Sequence, residues 1–138
     1  MFVNFSNHNS SKWSEDQYNA AIKDGIVVDV PFPEVEAYES DKYIMELAEE
    51  YLIKLVYGPW DTKDKFTQGL TLKPTTILVQ GEFTLAFTVI RLLQKNYPNI
   101  RVVAACSERV VQEVQLPDDT TQKVSTFKFI RFREYPHI

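Results

Sequence analysis

Apolar and polar positions along the 138-residue chain change period several times, and each change marks an element. Phe2-Val3-Asn4-Phe5 is a short apolar run, read as a first strand, and six polar residues follow it, Ser6-Asn7-His8-Asn9-Ser10-Ser11. Ser14 then stands as a helix N-cap with Gln17 as its capping-box partner, and Trp13 is placed to staple Tyr18. Asp24-Gly25 ends that helix, since glycine takes the left-handed C′ conformation without strain. Ile26-Val27-Val28-Asp29-Val30 reads as the second strand, stopped by Pro31-Phe32-Pro33. Ser40 or Asp41 caps a helix that runs to about Tyr57. Its Ile44, Leu47, Ala48, Tyr51, Leu52 and Leu55 share one apolar face, with Glu46, Glu49 and Glu50 on a solvated one.

Residues 60–74 show no clear period, so they are either a lid or binding loop or a plain connector. Thr76 to Val79 is a buried strand that ends abruptly in the polar turn Gln80-Gly81-Glu82. The helix after it, from Phe83 to Leu93, is apolar nearly all round, which means deep burial or a second apolar partner. Tyr97-Pro98-Asn99 turns the chain into a fourth strand, Ile100 to Ala105, expected to end in the cluster Cys106-Ser107-Glu108-Arg109. Val110 to Leu116, the turn Pro117-Asp118-Asp119 and Thr121 to Tyr135 read as a β-hairpin. Its second arm, Phe127 to Arg133, mixes aromatic and basic residues on both faces and is an alternative surface for a protein partner.

Three βα alternations, a fourth strand and a hairpin predict one α/β domain spanning residues 1–138. The expected fold is a Rossmann-like three-layer sandwich with a mostly parallel sheet of order 2-1-3-4 and a C-terminal β-hairpin. The topological switch point then lies between strands 1 and 3, where open α/β sheets place their ligands. The polar ends after strands 1, 3 and 4 should converge there.

Composition narrows the chemistry. A formal charge of −4 argues against broad binding to duplex nucleic acid, though not against a small anion in a local basic pocket. The single cysteine excludes an internal disulfide and a cysteine zinc site, and two histidines exclude a histidine-rich one, so no resident metal is expected, a carboxylate-bound Mg²⁺ being the alternative left open. Neither a glycine-rich dinucleotide fingerprint nor a P-loop is present, so no NAD or ATP cofactor is expected. Without a signal-peptide core or a membrane-length apolar run, a cytoplasmic protein with no membrane partner is expected.

Each candidate residue has two readings. The amides of Gln80-Gly81-Glu82 at a helix start suit a phosphate, Gly81 permits close approach, and Gln80 can read a base or ribose edge. Glu82 is either part of that site or only a carboxylate that favours the helix N-terminus. His8 is a surface residue or a donor and proton carrier to a phosphate. Arg109 is a phosphate clamp or a partner of Glu108. Cys106 and Arg109 are two residues apart, too close for a thiolate-arginine phosphatase loop, so Cys106 reads as a semi-buried strand-end residue. The mechanism left is one in which the protein positions a ribose 2′-hydroxyl for attack on its own 3′-phosphate.

Asn4-Phe5-Ser6-Asn7-His8, Gln80-Gly81-Glu82-Phe83-Thr84 and Ala105-Cys106-Ser107-Glu108-Arg109 resemble the corresponding strand ends of small stand-alone CRISPR-associated accessory proteins. Those proteins are Rossmann-like relatives of CARF domains that accompany type III systems. The resemblance implies a homodimer that binds a cyclic oligoadenylate second messenger across its two-fold axis. It further implies a ring nuclease that linearises the messenger without metal and switches off the antiviral response; a non-catalytic sensor is the alternative. By position, the ligand contacts would be Ser6, Asn7, His8, Gln80, Gly81, Glu82, Ser107 and Arg109. His8 and Arg109 would be the catalytic pair, with Ser10, Ser11, Thr84 and Cys106 as further candidate ligand contacts.

Overall fold

The computed structural model describes residues 1–60 and 73–138; residues 61–72 of the expected 60–74 loop lie outside the described residues. The described chain runs β1 (Phe2–Ser6), α1 (Glu15–Ile22), β2 (Val27–Asp29), α2 (Asp41–Tyr57), β3 (Thr76–Gln80), α3 (Phe83–Asn96), β4 (Arg101–Gln115) and β5 (Thr121–Glu134), with one 3-10 turn at Ser10–Lys12. The strands form a five-stranded sheet of order β2-β1-β3-β4-β5. The first four are parallel and β5 is antiparallel to β4, which is the expected α/β architecture. No helix among the described residues is long and apolar enough to cross a membrane.

β1 and β3 lie at the centre of the sheet, so their side chains are buried on both faces and read as apolar runs rather than alternations. The larger core joins Val3, Phe5, Ile77, Val79 and Val102 to α2 and α3 through Ala48, Leu52, Leu55, Leu85, Val89 and Leu93. The opposite face is smaller, with Phe2, Leu78 and Val103 against Ala21 of α1, Trp13 and Phe132. Trp13 packs edge-on against Phe2, with ring centroids 6.0 Å apart, and lies 6.1 Å from Phe132, whereas Tyr18, its expected staple partner, is largely exposed. Of the two expected caps for α2, Ser40 takes the role, accepting from the Tyr43 N–H at 3.1 Å.

The fourth strand departs from expectation. It does not end at Ala105. β4 continues to Gln115 with Ser107, Glu108 and Arg109 paired to Phe129, Lys128 and Phe127 of β5, and only a bulge between Cys106 and Ser107 marks the change. The polar residues read as a strand end because beyond that point β4 itself is exposed on both faces, so few of its side chains must be apolar. The bulge re-aims the ribbon, as bulges do next to sites.

Candidate functional site

The first loop is built around Asp29, the last residue of β2. Its carboxylate accepts from Asn4 Nδ2 at 2.7 Å, the Ser10 N–H at 2.9 Å and the Ser10 hydroxyl at 2.7 Å. Asn4 is buried in β1 and also donates to the His8 carbonyl at 2.8 Å. Ser6, also buried, donates to Asn4 Oδ1 at 2.7 Å and accepts from the His8 N–H at 3.3 Å. Ser11 donates its N–H to Asn9 Oδ1 at 2.9 Å. Ser6, Ser10 and Ser11 therefore serve the loop's own fold, while the exposed side chains of Asn7 and His8 are left to face outward.

Across the switch point, the Gln80 side chain is engaged by the protein's own backbone. Its side-chain amide accepts the Ala105 N–H at 2.9 Å and sits 3.4 Å from the Ala105 carbonyl. Backbone pairing of β3 with β4 ends at Leu78 and Val103, so Gln80 carries the junction on by side chain where the strands diverge. Gly81 also differs from expectation. A Cβ there would lie 2.5 Å from Phe32, so the close approach that glycine permits is to this ring.

Glu82 takes its structural reading: it is the N-cap of α3, and its carboxylate accepts from the Leu85 N–H at 2.8 Å and the Thr84 N–H at 3.1 Å. The Leu85 donor holds the carboxyl below the usual glutamate range, against an opposing effect of burial, with Thr84 assisting. Thr84 is correspondingly spent on Glu82, to which its hydroxyl donates at 2.7 Å.

These elements enclose an open cleft of about 620 Å³ at the carboxyl ends of β1 and β3 and beside the bulge of β4. Asn7, His8, Lys12, Trp13, Ser14 and Gln17 form one wall, and Gly81, Phe83 and Ala86 lie at the start of α3. Ala105, Ser107, Phe127, Phe129 and Tyr135 form the far wall. The Tyr135 hydroxyl donates to the Val79 carbonyl at 2.8 Å, and burial raises its pKa. Among the described residues, none that lines it is a carboxylate, although the chain as a whole is acidic. Phe83 and Phe127 are 90 % and 77 % exposed, so two aromatic faces stand free at the mouth.

Of the residues singled out from sequence, Ser6, Asn7, His8, Gln80, Gly81 and Ser107 reach this cleft. Glu82, Thr84, Ser10, Ser11 and Cys106 do not line it, and neither does Arg109. Arg109 is farther along the ribbon, opposite Phe127, where its Nε donates to the Ser125 hydroxyl at 2.6 Å.

The model of the uncharacterised protein MJ1673 family matches residues 1–133. The chain belongs to the MJ1673 family. No curated protein and no solved structure matches it.

In this MJ1673-family chain, sequence reasoning missed Lys12, Trp13, Gln17, Phe127, Phe129 and Tyr135 as cleft residues. Lys12 and Trp13 directly follow the polar run at Ser11, so the site loop extends two residues further than its polar composition suggests. The signal for Phe127 and Phe129 is present in the alternation of the last strand. Phe127, Phe129 and Phe132 fall on the α1 side of the ribbon, and Lys128, Arg131 and Arg133 on the other. The register thus separates aromatic from basic residues that composition alone had mixed.

Proposed function

We propose that this protein binds a nucleotide ligand in the cleft at the switch point, and that the ligand is a cyclic oligoadenylate which the protein linearises in the cytoplasm. The observation that carries the binding part is the lining: among the described residues it holds a lysine and a histidine, five aromatic rings and no carboxylate, in a chain of net charge −4. Aromatic faces accept purine bases, at roughly 1–3 kcal/mol per stacked base, and the cations neutralise phosphate. A cleft of about 620 Å³ is of the size that holds one small ligand. A ring of several nucleotides would project from it, along the ribbon toward Arg109 and into the cleft of a second copy paired over the exposed Phe83 and Phe87.

His8 is the proton carrier in this reading. Its imidazole removes the proton of a ribose 2′-hydroxyl as that oxygen attacks the adjoining phosphorus. The P–O5′ bond breaks and the departing oxygen takes a proton from water, leaving a 2′,3′-cyclic phosphate and a 5′-hydroxyl, while the imidazolium returns its proton to solvent. Lys12 neutralises the charge that grows on the phosphate oxygens.

A binding-only sensor is the second reading. It is favoured by one observation: of the proposed catalytic pair only His8 reaches the cleft, and Arg109 does not. Incubating the protein with cyclic tri-, tetra- and hexa-adenylate in EDTA, with chromatography of the products, separates the two. Linear products that fall on the order of 100-fold in His8→Ala, with affinity retained, support cleavage. Intact ligand with a raised Tm supports the sensor. Neither product nor Tm shift, with adenosine monophosphate also inert, sinks both readings.

A further inference from the structure

Charge is unevenly divided along the chain. Residues 1–60 hold 11 carboxylates against 4 lysines, whereas residues 73–138 hold 6 carboxylates against 9 lysines and arginines. The fold turns this sequence asymmetry into a spatial one, because β2 and β5 are the opposite edges of the sheet. β5 carries Lys123, Lys128, Arg131 and Arg133 against the single Glu134, and no ion pair among the described residues engages those four cations. Arg131 and Arg133 are exposed and pair with Cys106 and Ala104, which places them on the face that α2 and α3 cover. They are two residues apart, about 7 Å along the strand.

The segment that follows the opposite edge strand offers the complement. The segment after β2 runs Pro33-Glu34-Val35-Glu36, outside any helix or strand. Val35 packs against the α2–α3 core while Glu34 and Glu36 on either side of it are exposed. Two carboxylates thus flank one half-buried apolar residue on the same layer as the two arginines, in the segment that leaves β2.

We propose that copies of this chain associate head to tail, with the Arg131–Arg133 edge of one docked on the Glu34–Glu36 segment of the next. The contact is heterologous, so it propagates as an open chain or closes as a ring instead of stopping at a dimer. Antiparallel self-pairing of β5 is disfavoured, because it would bring cations of one copy against cations of the other, a common protection of sheet edges. Surface ion pairs are individually weak, so the association is weak and salt-sensitive. It is independent of what the cleft holds.

The test is the mass of the full chain by light scattering across a concentration series. At about 0.01 M salt, where charges are felt over about 30 Å, mass should grow with concentration beyond the value seen at about 1 M, where the range is about 3 Å. Arg131→Glu with Arg133→Glu, or Glu34→Lys with Glu36→Lys, should each raise the concentration needed for growth on the order of tenfold or more. A one-to-one mixture of the two variants should recover growth, since each then meets an edge of opposite sign. The proposal is overturned if the wild-type mass is the same at both salt levels, if the variants grow like wild type, or if their mixture fails to grow. Retained thermal unfolding of each variant separates loss of contact from loss of fold.

Discussion

Gly81→Ala tests how tightly the turn between β3 and α3 is built. A Cβ at this position would stand 2.5 Å from Phe32 Cγ and Cδ1 and 2.6 Å from Cδ2. The clash meets the base of the ring and not a flexible tip, so rotation about the ring axis gives no relief. The whole ring must retreat from a buried site, where it stacks on Phe5 with centroids 4.6 Å apart, and Phe5 in turn stacks on Tyr51 at 5.1 Å. Overpacking of this kind costs about 1–3 kcal/mol. For a chain of this length that is a fall in Tm of roughly 3–12 °C.

The assay is urea or thermal unfolding of wild type, Gly81→Ala, Phe32→Ala and the double variant. Phe32→Ala alone should destabilise, but the double variant should be more stable than the sum of the two predicts, because truncation to Cβ removes the Cγ and Cδ atoms from the space the new Cβ needs. Strict additivity, or a Gly81→Ala midpoint within about 0.5 kcal/mol of wild type, would refute the close approach.

Three further changes probe the rest of the site. Gln80→Ala removes the partner of the Ala105 N–H and carbonyl, so it should cost about 1–3 kcal/mol in denaturant unfolding and speed hydrogen exchange at Ala105. Asp29→Asn puts an amide where the carboxylate accepts from Asn4 and Ser10; it should cost about 1–3 kcal/mol and weaken nucleotide binding without removing a cleft residue, as read by calorimetry. Glu82→Gln should cost about 1 kcal/mol at neutral pH. The Glu82 pKa is depressed in the folded state, so its contribution is full above the unfolded value and lost as pH falls through the folded one. The stability gap between Glu82→Gln and wild type should therefore close on acidification, and a pH-independent gap would refute the cap.

How much was legible in the sequence depends on whether a residue's local surroundings decide its role. Strand order followed from apolar periodicity and right-handed crossovers, which depend on nothing beyond the pattern itself. The caps at Ser14 and Ser40 followed for the same reason, since a cap is satisfied within one turn. Gln80, Gly81 and Ser10 could not be read this way. Their partners Ala105, Phe32 and Asp29 lie 25, 49 and 19 residues away, and only the packed sheet brings them together. Arg109 failed for another reason: a polar cluster after an apolar strand predicts a chain end, but it equally describes a ribbon that has left the core.

These displacements have a common consequence for the cleft. Ser6, Ser10 and Gln80 are candidate ligand contacts by sequence, yet with Asn4 and Asp29 they satisfy one another or the neighbouring backbone. A buried polar network satisfied in this way is rigid, because breaking any one bond strands a partner away from water. Specificity then falls to groups not used in that network: the imidazole of His8, the ammonium of Lys12 and the aromatic rings on either wall. A site with rigid polar support and free cationic and aromatic faces favours a flat, anionic ligand over one recognised by many directed hydrogen bonds. The same division of labour separates the outcomes of substitution. Changes in the supporting network should lower stability and binding together, whereas Lys12→Ala should weaken nucleotide binding on the order of tenfold and leave the unfolding midpoint unchanged.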